Sequence, residues 1–98
     1  MVYVSIRGRL RDDPAAIKQI HDQVTGATKD MAVQAGDISH HVYLNPQDDR
    51  DFLGIDEWQS AEAVQTFSAN PQIQEFFSQM FEGAPDVTVW QAAAWNEW

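Results

Sequence analysis

An acid close to a tryptophan is the first feature of this sequence that suggests chemistry. Asp56 and Trp58 stand two residues apart in the strand-like segment Phe52-Leu53-Gly54-Ile55-Asp56-Glu57-Trp58. Side chains two apart on a strand share a face, so Asp56 and Trp58 point the same way and Glu57 the other way. We expect Asp56 beside an aromatic pocket wall and Glu57 on the opposite sheet face or in solvent. The simpler alternative is that Asp56 caps the following helix and Trp58 covers the core.

The three histidines add groups that titrate near neutral pH. His40 and His41 are adjacent in a second strand-like segment, so their rings lie on opposite faces. His40 shares its side with the alternating apolar residues of segment 38–44 and is the inward candidate. His21 lies on the apolar stripe of a predicted helix and is expected to converge with His40 on Asp56. A His–Asp pair can act as a general base towards a phenol or an acidic C–H.

Two other interpretations of these residues remain open. A histidine is often a structural residue that simply finds a hydrogen-bond partner. A site with two histidines and one aspartate also has ligand types that suit a metal ion, although their spacing carries no metal-binding signature. We expect neither a metal nor a cofactor.

Aromatic and long apolar residues on the same face are candidates for a small-ligand pocket. The substrate-binding candidates are His21, Arg7, Phe52, Phe67, Phe77 and Met80, and the catalytic candidates are His40, Asp56 and Trp58. Small-molecule sites are commonly lined by aromatic side chains with a few polar groups. The same stripe is also typical of an ordinary core between a helix and a sheet.

Size and charge exclude several classes of function. The chain has 98 residues, which indicates a single domain over residues 1–98, and its formal charge of −9 disfavours nucleic acid and anionic membranes as partners. No cysteine is present, which excludes disulfides and thiol catalysis. The N-terminal segment is soon charged and does not resemble a signal peptide. We expect a cytoplasmic protein.

Periodicity predicts four strands and two helical regions. The first helix is expected to start at Asp13-Pro14 and to stop at Gly36, and the second to start at the Ser60 cap and to be interrupted at Asn70-Pro71. The predicted strands are Val2 to Leu10, Ile38 to Leu44, Phe52 to Trp58 and Val87 to Ala92. This order, βαββαβ, predicts an α+β, ferredoxin-like fold with a four-stranded antiparallel sheet and both helices on one face.

The face of the sheet without helices is expected to form an interface. Trp90, Trp95 and Trp98 near the C-terminus are large apolar groups that are unfavourable to leave in water. Two copies that pack sheet to sheet would cover them. We therefore expect a homodimer, although the tryptophans could instead fold back onto their own chain.

Several short segments together resemble a known family. They are Ala35-Gly36-Asp37-Ile38-Ser39, His41-Val42-Tyr43, Pro46-Gln47-Asp48, the Phe52 to Trp58 segment, Ala61-Glu62-Ala63 and Asn70-Pro71. The pattern resembles the antibiotic biosynthesis monooxygenase superfamily of dimeric α/β barrels. This resemblance implies the fold, a homodimer and a small aromatic or polyketide-like ligand. It also implies cofactor-independent oxygenation, in which the substrate anion passes an electron to oxygen.

The resemblance carries over to individual residues only in part. The Trp of the cofactor-independent enzymes matches Trp58, whereas their Asn falls at Gly54 and their Tyr near Val64. Arg7 is available as the arginine that stabilises an anion. Haem-degrading members of the superfamily use a Trp and an axial His on the second helix. The resemblance puts these two positions at Phe67 and Phe77 in this chain, and neither Phe can bind iron. The resemblance thus implies a monooxygenase, with a related isomerase and a non-enzymatic ligand-binding or scaffold dimer as alternatives.

Overall fold

The computed structural model describes all 98 residues and confirms the predicted βαββαβ order. The elements are β1 (Val2–Arg9), α1 (Pro14–Ala35), β2 (Asp37–Asn45), β3 (Asp48–Trp58), α2 (Ala61–Ser68), α3 (Pro71–Met80) and β4 (Asp86–Trp90). The strands form one antiparallel sheet in the order β2-β3-β1-β4. None of the helices is both long and apolar enough to cross a membrane.

Local capping chemistry sets the helix bounds. The Asp13 side chain accepts from the Ala16 N–H, and Pro14 follows at the first helical position. The helix α1 ends at Gly36, whose φ of 119° lies in the left-handed region that glycine tolerates best. Gly26 does not interrupt α1.

The second helical region is divided, as the sequence predicts. Asn70 accepts from the Gln72 N–H and Pro71 opens α3, so α2 and α3 are separate helices. Ser60 caps α2 by accepting from the Ala63 N–H. Since Ser60 fills this role, the alternative of Asp56 as the helix cap is wrong.

The hairpin between β2 and β3 is longer than the pattern predicts. β3 already begins at Asp48, because the connection is a two-residue turn at Pro46 and Gln47 and not a polar loop. β4 ends at Trp90, and residues 91–98 have no regular structure. Trp95 and Trp98 are exposed there, while the indole of Trp90 donates to the Ser5 hydroxyl at 2.8 Å.

The apolar core lies between the helices and one face of the sheet. It has two clusters, one around Leu10, Ile17, Phe52, Met80 and Phe81 and one around Val2, Val4, Trp58 and Val64. The opposite sheet face has no helix over it and exposes Tyr3, Tyr43 and Trp90. Glu57 lies on this open face, opposite Tyr3 in the β1–β3 pairing, as the sequence predicts.

Candidate functional site

The β2–β3 pairing brings an acid and an imidazole together under the helices. His40 is the direct cross-strand partner of Asp56, so both side chains lie on the same face. Nδ1 of His40 is 2.7 Å from Oδ1 of Asp56, and only 9% of Asp56 is exposed. This hydrogen bond is the largest cause that raises the pKa of His40, while burial acts in the opposite direction.

A β-bulge at Ile38 adds a second carboxyl group to the same face. Asp37 pairs with Trp58 and Ser39 pairs with Glu57, so Ile38 has no partner on β3. Strict alternation from His40 would place Asp37 on the opposite face. The bulge instead turns Asp37 towards the helices.

Asp37 is therefore a site residue that the sequence reasoning missed. Burial, and then the neighbouring Asp56 carboxyl, raise the pKa of Asp37 to about 8. Its Oδ1 is buried and accepts no hydrogen bond. At neutral pH Asp37 is thus a neutral acid next to Asp56, since two adjacent carboxyl groups do not easily both carry a negative charge. No sequence signal marks the bulge that puts it there.

The helix α1 contributes a second imidazole. Nε2 of His21 is 3.0 Å from Nε2 of His40, and the two rings lie 18° from parallel with centroids 5.1 Å apart. Nδ1 of His21 is 3.0 Å from Oδ1 of Asp22. The structure thus brings His21, His40 and Asp56 together. Asp22 was not predicted, although its position next to His21 in the sequence was a signal.

A cavity of about 550 Å³ opens beside this cluster, between the sheet and the helices. This volume is in the range of small-molecule sites, roughly 300–1,000 Å³. Carboxyl and imidazole groups of Asp37, Asp56 and His40 lie on one wall. Apolar groups make up much of the rest, among them Val4, Ile6, Trp58, Val64, Phe67, Ile73, Phe76 and Phe77.

Trp58 and Phe67 form the aromatic part of the wall. Their ring centroids are 5.2 Å apart at an angle of 50°, which is a favourable tilted arrangement. Only 4% of Trp58 is exposed, and it packs in one core cluster with Val2, Val4 and Val64. A flat ligand in the cavity would meet a rigid surface here.

Other predicted binding residues lie outside this cavity. Phe52 and Met80 are buried in the core cluster around Phe81, and Phe52 packs edge-on against that ring. They are core residues because α1 and α3 close over that end of the sheet.

Arg7 lies on the opposite, open face of the sheet. There its guanidinium makes two hydrogen bonds to Asp51, at 3.0 and 2.8 Å, and 67% of its side chain is exposed. The odd positions of β1 point away from the helices, so Arg7 cannot reach the cavity of its own chain. The exposed Lys29 on α1 is the only lysine or arginine that lines the cavity.

The arrangement does not create a metal site. No group of three or more His, Asp, Glu or Cys residues converges on a point that could hold a metal ion. The ring nitrogens of His21 and His40 point at each other, and each histidine uses its other nitrogen for a carboxylate.

Comparison with known proteins identifies the family. Residues 1–79 match the antibiotic biosynthesis monooxygenase family. The chain belongs to this family. The match covers the first three strands and nearly all of the helical layer, and it confirms the resemblance drawn from the sequence. No functionally curated protein matches the sequence.

Solved structures of the same fold include oxygenases. SnoaB, a cofactor-independent oxygenase from Streptomyces nogalater, has a TM-score of 0.72 and 15% identity, over 93% of this chain and 91% of that one. A monooxygenase from the gene ActVA-Orf6 of Streptomyces coelicolor, in complex with Nanaomycin D, has a TM-score of 0.70 and 17% identity, over 98% and 91%. A Mycobacterium tuberculosis protein reaches 0.68 and 20%, over 98% and 96%. At these identities the likeness confirms the fold alone.

Proposed function

We propose that this chain is a cofactor-independent monooxygenase that acts on a small aromatic or polyketide-like molecule. The observation that carries the proposal is the hydrogen-bonded His40–Asp56 pair on the wall of a cavity of about 550 Å³ that aromatic side chains also line. Family membership and the likeness to SnoaB and the ActVA-Orf6 monooxygenase support it. A phenol or anthrone-like ring system suits this cavity, because its flat apolar part can pack against Trp58 and Phe67.

The base and the wall have different tasks in this proposal. The His40–Asp56 pair removes a proton from a phenol or an acidic C–H, which produces an electron-rich anion. The anion, and not a protein-bound group, then passes an electron to oxygen. Trp58, Phe67, Phe76 and Phe77 hold the ring system in place and keep water away from it.

One observation favours an alternative, namely a non-enzymatic ligand-binding dimer or an isomerase. Gly54 and Val64 stand where the resemblance implies an Asn and a Tyr, and the guanidinium of Arg7 is outside the cavity. With fewer polar groups to stabilise an anion, the site depends on the carboxyl and imidazole cluster. An isomerase needs the same proton removal without the step that consumes oxygen.

Oxygen uptake separates these functions. We expect the purified chain, treated with a chelator and given no cofactor, to consume oxygen with an anthrone or a hydroquinone above the buffer rate. Replacing the histidine of this pair, in His40→Gln, should lower the rate by about 10²–10⁴-fold, the usual contribution of general acid–base catalysis. His41→Gln, on the other sheet face, is the matched control. A wild-type rate equal to buffer would contradict the monooxygenase, and ligand binding without uptake would favour the alternative.

A further inference from the structure

Four side chains form an unbroken hydrogen-bonded chain from the cavity to the protein surface. Oδ1 of Asp56 is 2.7 Å from Nδ1 of His40, Nε2 of His40 is 3.0 Å from Nε2 of His21, and Nδ1 of His21 is 3.0 Å from Oδ1 of Asp22. The exposed side-chain fraction is 12% at Asp56 and 53% at Asp22. Both end residues line the cavity, but Asp56 is nearly buried in its wall whereas Asp22 is half exposed to solvent.

The three contacts indicate how many protons the chain holds. Each contact at these distances needs one hydrogen between its two heavy atoms. A neutral imidazole carries one N–H and an ionised carboxylate carries none. Two neutral rings therefore supply two hydrogens for three contacts. One further proton completes the chain and makes one of the two rings an imidazolium.

We propose that His21 and His40 share this additional proton, and that Asp56, His40, His21 and Asp22 relay a proton between the cavity and solvent. The shared proton rests only on the geometry of the four side chains, while the relay also rests on the proposed function, which supplies the proton at the cavity end. The proton can sit on either Nε2 atom, because both placements leave all three hydrogen bonds intact.

The relay balances for a phenolic substrate. The substrate O–H bond breaks, and its proton bonds to the carboxylate oxygen of Asp56 that does not accept from His40. The Nε2–H of His40 passes to Nε2 of His21, the Nδ1–H of His21 passes to Asp22, and Asp22 releases the proton to water. No electrons are transferred in these steps. The substrate anion then lies beside a neutral Asp56, which avoids two adjacent negative charges in a desolvated site.

The surrounding charges favour a cation on this histidine pair. The carboxylates of Asp56 on β3 and Asp22 on α1 bracket it, while Asp37 on β2, next to Asp56, is neutral and adds no charge at neutral pH. On α1, Lys18 pairs with Asp22 at 2.6 Å and Lys29 lines the cavity. The helices α2 and α3 line the cavity with apolar side chains and Ser68, and β1 and β4 line it with apolar side chains. The hydrogen bond that raises the pKa of His40 acts in the same direction.

The proton count can be measured on the protein without any ligand. Long-range proton–nitrogen NMR spectra of the histidine-labelled chain report how many protons each ring nitrogen carries. At pH 7 we expect three protons on the four ring nitrogens of His21 and His40, with His41 on the open sheet face as an internal reference. Two protons, with one bare nitrogen on each ring, would overturn the shared proton.

Two variants test the ends of the chain. Asp22→Asn removes the outer anion and should lower the pH at which the shared proton leaves by about one unit. Asp30→Asn, an exposed aspartate on the same helix, is the matched control and should leave that pH unchanged. Equal effects of the two variants would show a general charge effect and overturn the role of Asp22.

The relay itself is tested by chemical rescue. His21→Ala should slow oxygen uptake with an anthrone at unchanged KM, and imidazole added to the buffer should restore part of the rate. An undiminished rate in His21→Ala would overturn the relay. Because the proton count needs no ligand, it decides the shared proton even if the wild type consumes no anthrone.

Discussion

At the scale of single residues, the carboxyl of Asp37 makes stability depend on pH. Its pKa is raised from 3.8 to about 8 in the folded chain, so the folded chain binds this proton more tightly than the unfolded chain does. Between about pH 4 and pH 8 the unfolded chain has lost the proton and the folded chain has kept it. The free energy of unfolding therefore falls as pH rises through this window.

Asp37→Asn removes this titration and keeps the shape of the side chain. We expect the difference in free energy of unfolding, variant minus wild type, to increase steadily from pH 4 to pH 8 and to level off above it. Urea denaturation at several pH values measures this difference. Asp30→Asn serves as the control. A difference that stays constant with pH would contradict the paired-carboxyl assignment.

Sequence reasoning reached part of this residue cluster. It placed His40, Asp56 and Trp58 on one face because alternation holds along most of β2 and all of β3. It did not include Asp37 in the site, because strict alternation from His40 puts that residue on the opposite face. One extra residue, Ile38, reverses the alternation, and local sequence does not encode a bulge. Arg7 was assigned a ligand role although its position in β1 already put it on the face opposite Val4 and Ile6.

At the scale of elements, the close approach of β1 to the chain after α3 depends on a glycine. A Cβ atom on Gly8 would lie 2.6 Å from Cδ1 of Phe81, a ring that is only 1% exposed. The ring cannot move without disturbing the core cluster. We expect Gly8→Ala to lower the free energy of unfolding by about 1–3 kcal/mol, the usual cost of overpacking.

Gly26 in α1 provides the matched control for the same change. A Cβ atom there meets nothing within 4 Å. Since alanine favours the helix, Gly26→Ala should raise the free energy of unfolding by roughly 0.5–1 kcal/mol. Urea denaturation measures the free energy of unfolding of both variants. A Gly8→Ala variant as stable as the wild type would contradict the close packing of Gly8 against Phe81.

The order of the elements was predictable because strong local signals mark their ends. Asp13-Pro14, Ser60 and Asn70-Pro71 each cap or open a helix in the structure as the sequence predicts. Strand ends were less predictable. The β2–β3 hairpin extends through the polar residues Asp48 to Arg50. Asp48 pairs with Asn45 of β2, and the Arg50 carbonyl accepts from the Leu10 N–H, so backbone pairing and not apolar character extends the strand.

At the scale of the whole molecule, the open sheet face supports the prediction of a homodimer. Tyr3 and Tyr43 are 41% and 53% exposed there, and Trp90 is 55% exposed. We expect light scattering to give about twice the chain mass of 11.1 kDa. Tyr43→Glu, which adds a charge to this surface, should shift the protein to a single chain.

A charge added to the helix layer is the control for this experiment. Gln34→Glu adds the same single negative charge at an exposed position on α1. The mass of this variant measured by light scattering should equal that of the wild type. A wild type that elutes as a single chain at micromolar concentration would show that the open face does not pair.

The central claim, that the cavity beside Trp58 binds an aromatic ligand, has a direct reporter. Of the four tryptophans only Trp58 lines the cavity, and Trp90, Trp95 and Trp98 are exposed elsewhere. Titration with a naphthol, followed by NMR of the four indole N–H groups, should shift the Trp58 signal in a saturable way and leave the other three in place. Saturable shifts confined to the other tryptophans, or no shift at all, would contradict the claim.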